Sequence, residues 1–156
     1  MNKIYLSFLL FLLPFYIGAS SISKQNNDSN FELLVHKTPT CGCCKMWVKH
    51  MEENGFTVNT KDHQSLVKIK EELKIEPKHR SCHTGVSSRG HFFEGHIPSE
   101  YVSQFLSEGN PDAIGLSVPG MPLGSPGMEV EDRFTPYDVL LHYKDGSTKV
   151  YAEIRK

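Results

Sequence analysis

The chain has 156 residues, 38% of them hydrophobic and 22% charged, the balance of an ordinary soluble domain rather than a disordered or fibrous one. Lys and Arg number 17 against 18 Asp and Glu, a formal net charge of −1, so the basic footprint that holds a phosphate backbone or an anionic membrane is missing and nucleic-acid binding is excluded. Eight His, four Cys and five Met are more soft and borderline metal-ligand atoms than packing of so short a chain requires.

Residues 1–21 read Met-Asn-Lys, an apolar run from Ile4 to Ile17, then Gly18-Ala19-Ser20-Ser21, the three-part plan of a secretory signal peptide. The run is short for a membrane span and Pro14 interrupts it, so no stable membrane anchor is expected and the chain is predicted to be exported. Residues 22–30 are polar and read as a flexible linker, leaving 31–156 as a single domain. Phe31 to Lys37 has the apolar density of a buried strand. Thr38-Pro39-Thr40 is a turn with a capping hydroxyl, and Cys41-Gly42-Cys43-Cys44 then opens a helix to Asn54-Gly55, with Met46, Trp47, Val48 and Met51 at helical spacing. Phe56 to Asn59 reads as a second strand. Ser65 to Leu73 is an amphipathic helix on Leu66, Ile69 and Leu73.

Two runs around Gly90, Cys82 to Val86 and His91 to Ile97, suggest a hairpin. Pro98 opens a third helix whose buried face is Tyr101, Val102, Phe105 and Leu106, stopped at Gly109-Asn110-Pro111. Gly115 to Glu129 is too rich in Gly and Pro for a helix or strand interior and reads as a long loop. Tyr137 to Tyr143 and Lys149 to Ile154, joined across Asp145-Gly146, close the chain as a hairpin. The order strand, helix, strand, helix, hairpin, helix predicts an α/β fold, a thioredoxin-like mixed sheet flanked by helices with an added C-terminal hairpin.

All four cysteines lie in the exported part, where thiols can pair. Two structural disulfides are one reading, but Cys41, Cys43 and Cys44 are near neighbours, whose bridges are strained and close almost no loop. A second reading is a thiol-disulfide oxidoreductase using Cys41 and Cys44, favoured by their place at a helix N-terminus, where the dipole promotes thiolates. The third sulfur argues for metal. Cu(I) prefers thiolate and thioether ligands and accepts low coordination numbers, so the four sulfurs of Cys41, Cys43, Cys44 and Cys82 could hold more than one ion. Zinc is the alternative, although its usual signature is two separated pairs. His83, Met121 and Met128 are weaker candidate ligands, while Met46 and Met51 read as packing and nothing sets apart His91, His96 or His142.

The segments CGCCKMWVKHM, SCHTGV, EGHIP and GLSVPGMPLGSPGME, in that order, resemble the CopG-like family of exported bacterial copper-resistance proteins, formerly a domain of unknown function, from about Phe31 to Tyr151. The resemblance implies a thioredoxin-like, periplasmic protein that binds a sulfur-bridged cluster of copper ions. Carried over by position, it assigns Cys41, Cys43, Cys44 and Cys82 as the metal ligands. It further implies a role in copper resistance by buffering or redox cycling, alongside other periplasmic copper-handling proteins. Whether the chain is an enzyme, a copper oxidoreductase, stays open at this point.

Overall fold

The computed structural model describes residues 31–156, so the signal peptide and linker expected over residues 1–30 lie outside the described residues. Its elements, in chain order, are β1 (Glu32–Lys37), α1 (Gly42–Glu53), β2 (Thr57–Asp62), α2 (Val67–Glu72), a short 3-10 turn (Pro77–His79), β3 (Thr84–Ser87), β4 (Phe92–Glu94), α3 (Ser99–Glu108), β5 (Ala113–Ser117), β6 (Tyr137–Tyr143) and β7 (Thr148–Ile154). The strands form one mixed sheet in the order β2-β1-β3-β4-β5-β6-β7.

β1 and β2 pair in parallel across the α1 crossover, β3 runs antiparallel to both β1 and β4, and β4 and β5 are again parallel across α3. The strand, helix, strand, helix, hairpin, helix order expected from the sequence is therefore the order observed, and the added hairpin β6-β7 is present, turning at Gly146.

Alternation along the strands sorts side chains to the two faces. Leu33, Val35, Phe93 and Leu116 point into the main core with Trp47, Val48 and Met51 of α1 and Val102, Phe105 and Leu106 of α3. The opposite face carries Thr84, Glu94 and Ser117, all buried, and the buried Lys70 of α2 reaches both Thr84 and Glu94.

Three expectations are corrected. The Gly/Pro-rich stretch begins as a strand, because Gly115-Leu116-Ser117 belongs to β5. A Cβ at Gly115 would lie 2.2 Å from the carbonyl oxygen of Phe92, so this glycine is what allows β4 and β5 to approach. Met46 is half exposed rather than packed, since the buried stripe of α1 runs through Cys44, Trp47, Val48 and Met51. The buried member of α2 is the charged Lys70, flanked by Leu66, because the surface it meets is polar.

Candidate metal centre

Helix α1 starts where a thiol can cap it. Cys41 is extended at the N-cap position and its Sγ accepts from the Cys44 N–H at 3.3 Å, satisfying one of the free donors of the first turn. The same turn brings the Cα atoms of Cys41 and Cys44 to 5.3 Å, and the two sulfurs are joined as a disulfide. That separation sits in the ordinary range for a bridge, roughly 4.4–6.8 Å. A helical turn supplies this close approach of Cys41 and Cys44.

Cys43 and Cys82 are free thiols. The Cys43 Sγ lies 3.5 Å from that of Cys41 and 3.8 Å from that of Cys82, and the four sulfurs all fall within 4.8 Å of one another. Cys82 thus stands against the trio at the start of α1. Burial, and then the Cys43 thiol beside it, pushes the Cys82 thiol up to about 12. The site thus holds one bridge and, at Cys82, a thiol that burial keeps protonated. A cation must displace the Cys82 proton to bind there.

The Cys82 segment is held by a buried polar network. The Glu94 carboxylate accepts from the Lys70 ammonium, from the Ser81 N–H at 2.5 Å and from the Thr84 hydroxyl at 2.6 Å, while Lys70 also donates to the Ser81 carbonyl at 3.0 Å. Burial raises the Glu94 carboxyl above its usual range, against the pull of Lys70. This network clamps both sides of Cys82, at Ser81 and Thr84. The next residue, Gly95, has a positive φ of 81°, and a Cβ there would lie 2.7 Å from that of Ser81 and 2.5 Å from the Val118 carbonyl.

Two imidazoles complete the surroundings. His96 Nδ1 donates to the Pro126 carbonyl at 2.8 Å, which turns Nε2 as an acceptor toward the Cys82 sulfur, 3.1 Å away. His83 Nδ1 lies 3.4 Å from the same sulfur, while its buried Nε2 has no hydrogen-bond partner among the described residues. Cys82, His83 and His96 form a second group whose ligand atoms lie within 4.8 Å of one another. Burial holds both imidazoles below their ordinary pKa, so each ring is neutral and keeps one nitrogen as a donor of an electron pair. The sequence reading missed His96. Its signal was the EGHIP segment, where Gly95 turns the chain so that His96 faces Cys82.

Trp47 packs against the His83 ring at a centroid distance of 4.5 Å, the two planes tilted by 41°, and donates to the Ile97 carbonyl at 2.8 Å, fully buried. The Gly/Pro loop closes over the first turn of α1 at Gly127, where a Cβ would lie 2.8 Å from the Cys43 carbonyl and 2.8 Å from the Trp47 nitrogen. Of the weaker candidates, His83 is in the group, Met121 is more than half exposed on the loop, and Met128 is half-buried beside the Ser125 turn.

Residues 79–128 match the family described as "Protein of unknown function, DUF411". Two solved structures are similar to the chain over nearly their whole length. Copper resistance protein copG, Form 2, is 40% identical at a TM-score of 0.76, the match covering 80% of this chain and 98% of that one. Form 1 of the same protein is 39% identical at a TM-score of 0.76, covering 81% and 99%. No curated protein matches the chain.

Proposed function

The chain belongs to the CopG-like copper-resistance family, and from that premise we propose that it is an exported, periplasmic copper-handling protein whose cysteine cluster gathers Cu(I). The cargo is more than one cuprous ion, held on Cys41, Cys43, Cys44 and Cys82 once an external dithiol has reduced the Cys41–Cys44 bridge by exchange and left as its own disulfide. The observation that carries this reading is the convergence of four sulfurs within 4.8 Å. A thiolate has lone pairs enough to bridge two soft ions, and a compact group of four sulfurs lets several ions share ligands. His83 and His96 add nitrogen donors on the Cys82 side, which suits a site able to hold copper in either oxidation state. Zinc in a four-sulfur site also fits this spacing, since the edge of a tetrahedron with Zn–S of about 2.3 Å is about 3.8 Å. The choice of copper rests on the softness of the ligand set and on the family.

Anaerobic purification of the reduced chain after growth in copper, followed by metal analysis, is expected to return more than one copper per chain and little zinc. Cys82→Ser is expected to lower that stoichiometry. A chain with intact thiols and no copper overturns the reading.

One observation favours a second reading, a thiol-disulfide oxidoreductase using Cys41 and Cys44: these two sulfurs are bridged at the start of α1. A two-sulfur mechanism predicts disulfide-exchange activity that survives both Cys43→Ser and Cys82→Ser. Loss of activity in either variant rejects it.

A further inference from the structure

Away from the sulfur group, two histidines meet at the end of the sheet. His36 lies near the end of β1 and His63 directly follows β2; the His63 N–H donates to the Lys37 carbonyl at 2.9 Å, extending the parallel ladder by one residue. That register sets His36 Nδ1 and His63 Nε2 2.9 Å apart, with ring centroids at 5.1 Å, and both side chains are half-buried and open to solvent on one side. His36 pairs across the sheet with Thr84, two residues from Cys82, so the imidazole pair stands near the same end of the sheet as the cysteines.

We propose that His36 and His63 form a second metal site, a two-imidazole chelate for a divalent copper ion. The spacing selects the geometry. Two metal–nitrogen bonds of about 2.0–2.1 Å meeting at a right angle set their nitrogens about 2.8–3.0 Å apart, whereas a linear two-coordinate ion holds them about 4 Å apart. The observed 2.9 Å matches adjacent positions of a tetragonal ion and not the linear arrangement open to Cu(I). Each lone pair must turn by about 45° from the line joining the nitrogens to meet at the ion, a small swing of each ring.

The proton balance is also simple. In the metal-free pair one facing nitrogen carries the hydrogen. With His36 protonated at Nε2 and His63 at Nδ1, both facing nitrogens present lone pairs, so a cation enters by tautomer exchange with no net proton release. Among divalent first-row ions, copper binds such nitrogen pairs most tightly. Lys61, whose charge acts on His36, opposes a cation and keeps the site exchangeable.

This site is independent of the reading given to the cysteines, and its test removes their free thiols. The chain lacking residues 1–21, with Cys43→Ser and Cys82→Ser and the Cys41–Cys44 bridge retained, is titrated with Cu(II) in a non-coordinating buffer and followed by electron paramagnetic resonance. One equivalent with hyperfine structure from two imidazole nitrogens is expected. His36→Ala and His63→Ala should each weaken it about a hundredfold, and Lys61→Ala should tighten it about two- to threefold. Circular dichroism checks the fold of each variant. In the parent, a tenth of an equivalent of Cu(II) should broaden the imidazole resonances of His36 and His63 before those of other histidines. Cu(II) affinity indifferent to both alanine variants, or broadening that leaves this pair untouched, overturns the proposal.

Discussion

Glu94 is the most exacting test of how the Cys82 segment is held. It is fully buried and accepts three hydrogen bonds, from Lys70, Ser81 and Thr84, while Lys70 is 5% exposed. Removing one member of a buried ion pair leaves the other charge unpaired, a loss of about 3–5 kcal/mol, against a typical domain stability of about 5–15 kcal/mol. Glu94→Leu is expected to show that full loss. Glu94→Gln keeps an oxygen for Lys70 and the Ser81 N–H and lets the Thr84 hydroxyl turn to accept from the new amide, so about 2–3 kcal/mol is expected, mostly the lost charge. The double variant Lys70→Met with Glu94→Leu replaces both charges by apolar groups and should be less destabilised than Glu94→Leu alone. Urea unfolding of the chain lacking residues 1–21, with midpoints and slopes compared across these variants and the single Lys70→Met variant, measures each value and closes the cycle. A loss below about 1 kcal/mol for Glu94→Leu, or additive effects in the double variant, would refute the claim that this pair is coupled and structural.

The loop over the cysteines should be intolerant at Gly127, where a methyl group meets the backbone of α1 at 2.8 Å and φ is +83°. Gly127→Ala is expected to destabilise by about 1–3 kcal/mol in thermal melts and to increase the reactivity of Cys43 toward a thiol reagent; wild-type stability and reactivity would show that the loop does not rest on α1. Burial, aided by the neighbouring His79, pushes His142 down to about 4, so between roughly pH 6.5 and 4 the unfolded chain takes up a proton that the folded chain refuses. Stability should therefore fall as pH drops through that window, by about 2–3 kcal/mol from this group, and His142→Gln should flatten the slope of urea-derived stability against pH; an unchanged slope removes His142 as its source. Phe93→Ala, in the fully buried layer against Phe105, should cost about 3–5 kcal/mol with the unfolding slope preserved.

Much of this molecule is written in short-range chemistry. The start of α1 at the cysteine trio, the stop at Gly55, the left-handed cap at Gly109 and the Asp145-Gly146 turn follow from residues acting on neighbours a few positions away, and each is found where the sequence places it. The cysteine trio at the start of α1 is equally local in character, whereas Cys82, 39 residues from Cys43, joins it only through the fold. Tertiary register decided the rest, because a contact across a sheet depends on which strands become neighbours and at what offset. The pairing of β1 with β3 and β2 brings His36 beside His63, and the turn at Gly95 swings His96 onto Cys82. Lys70 reads as a solvated helix residue until its helix lies over Thr84 and Glu94. β5 was illegible for a related reason: Gly115 weakens a strand in isolation, and only the close passage of Phe92 makes a glycine necessary there.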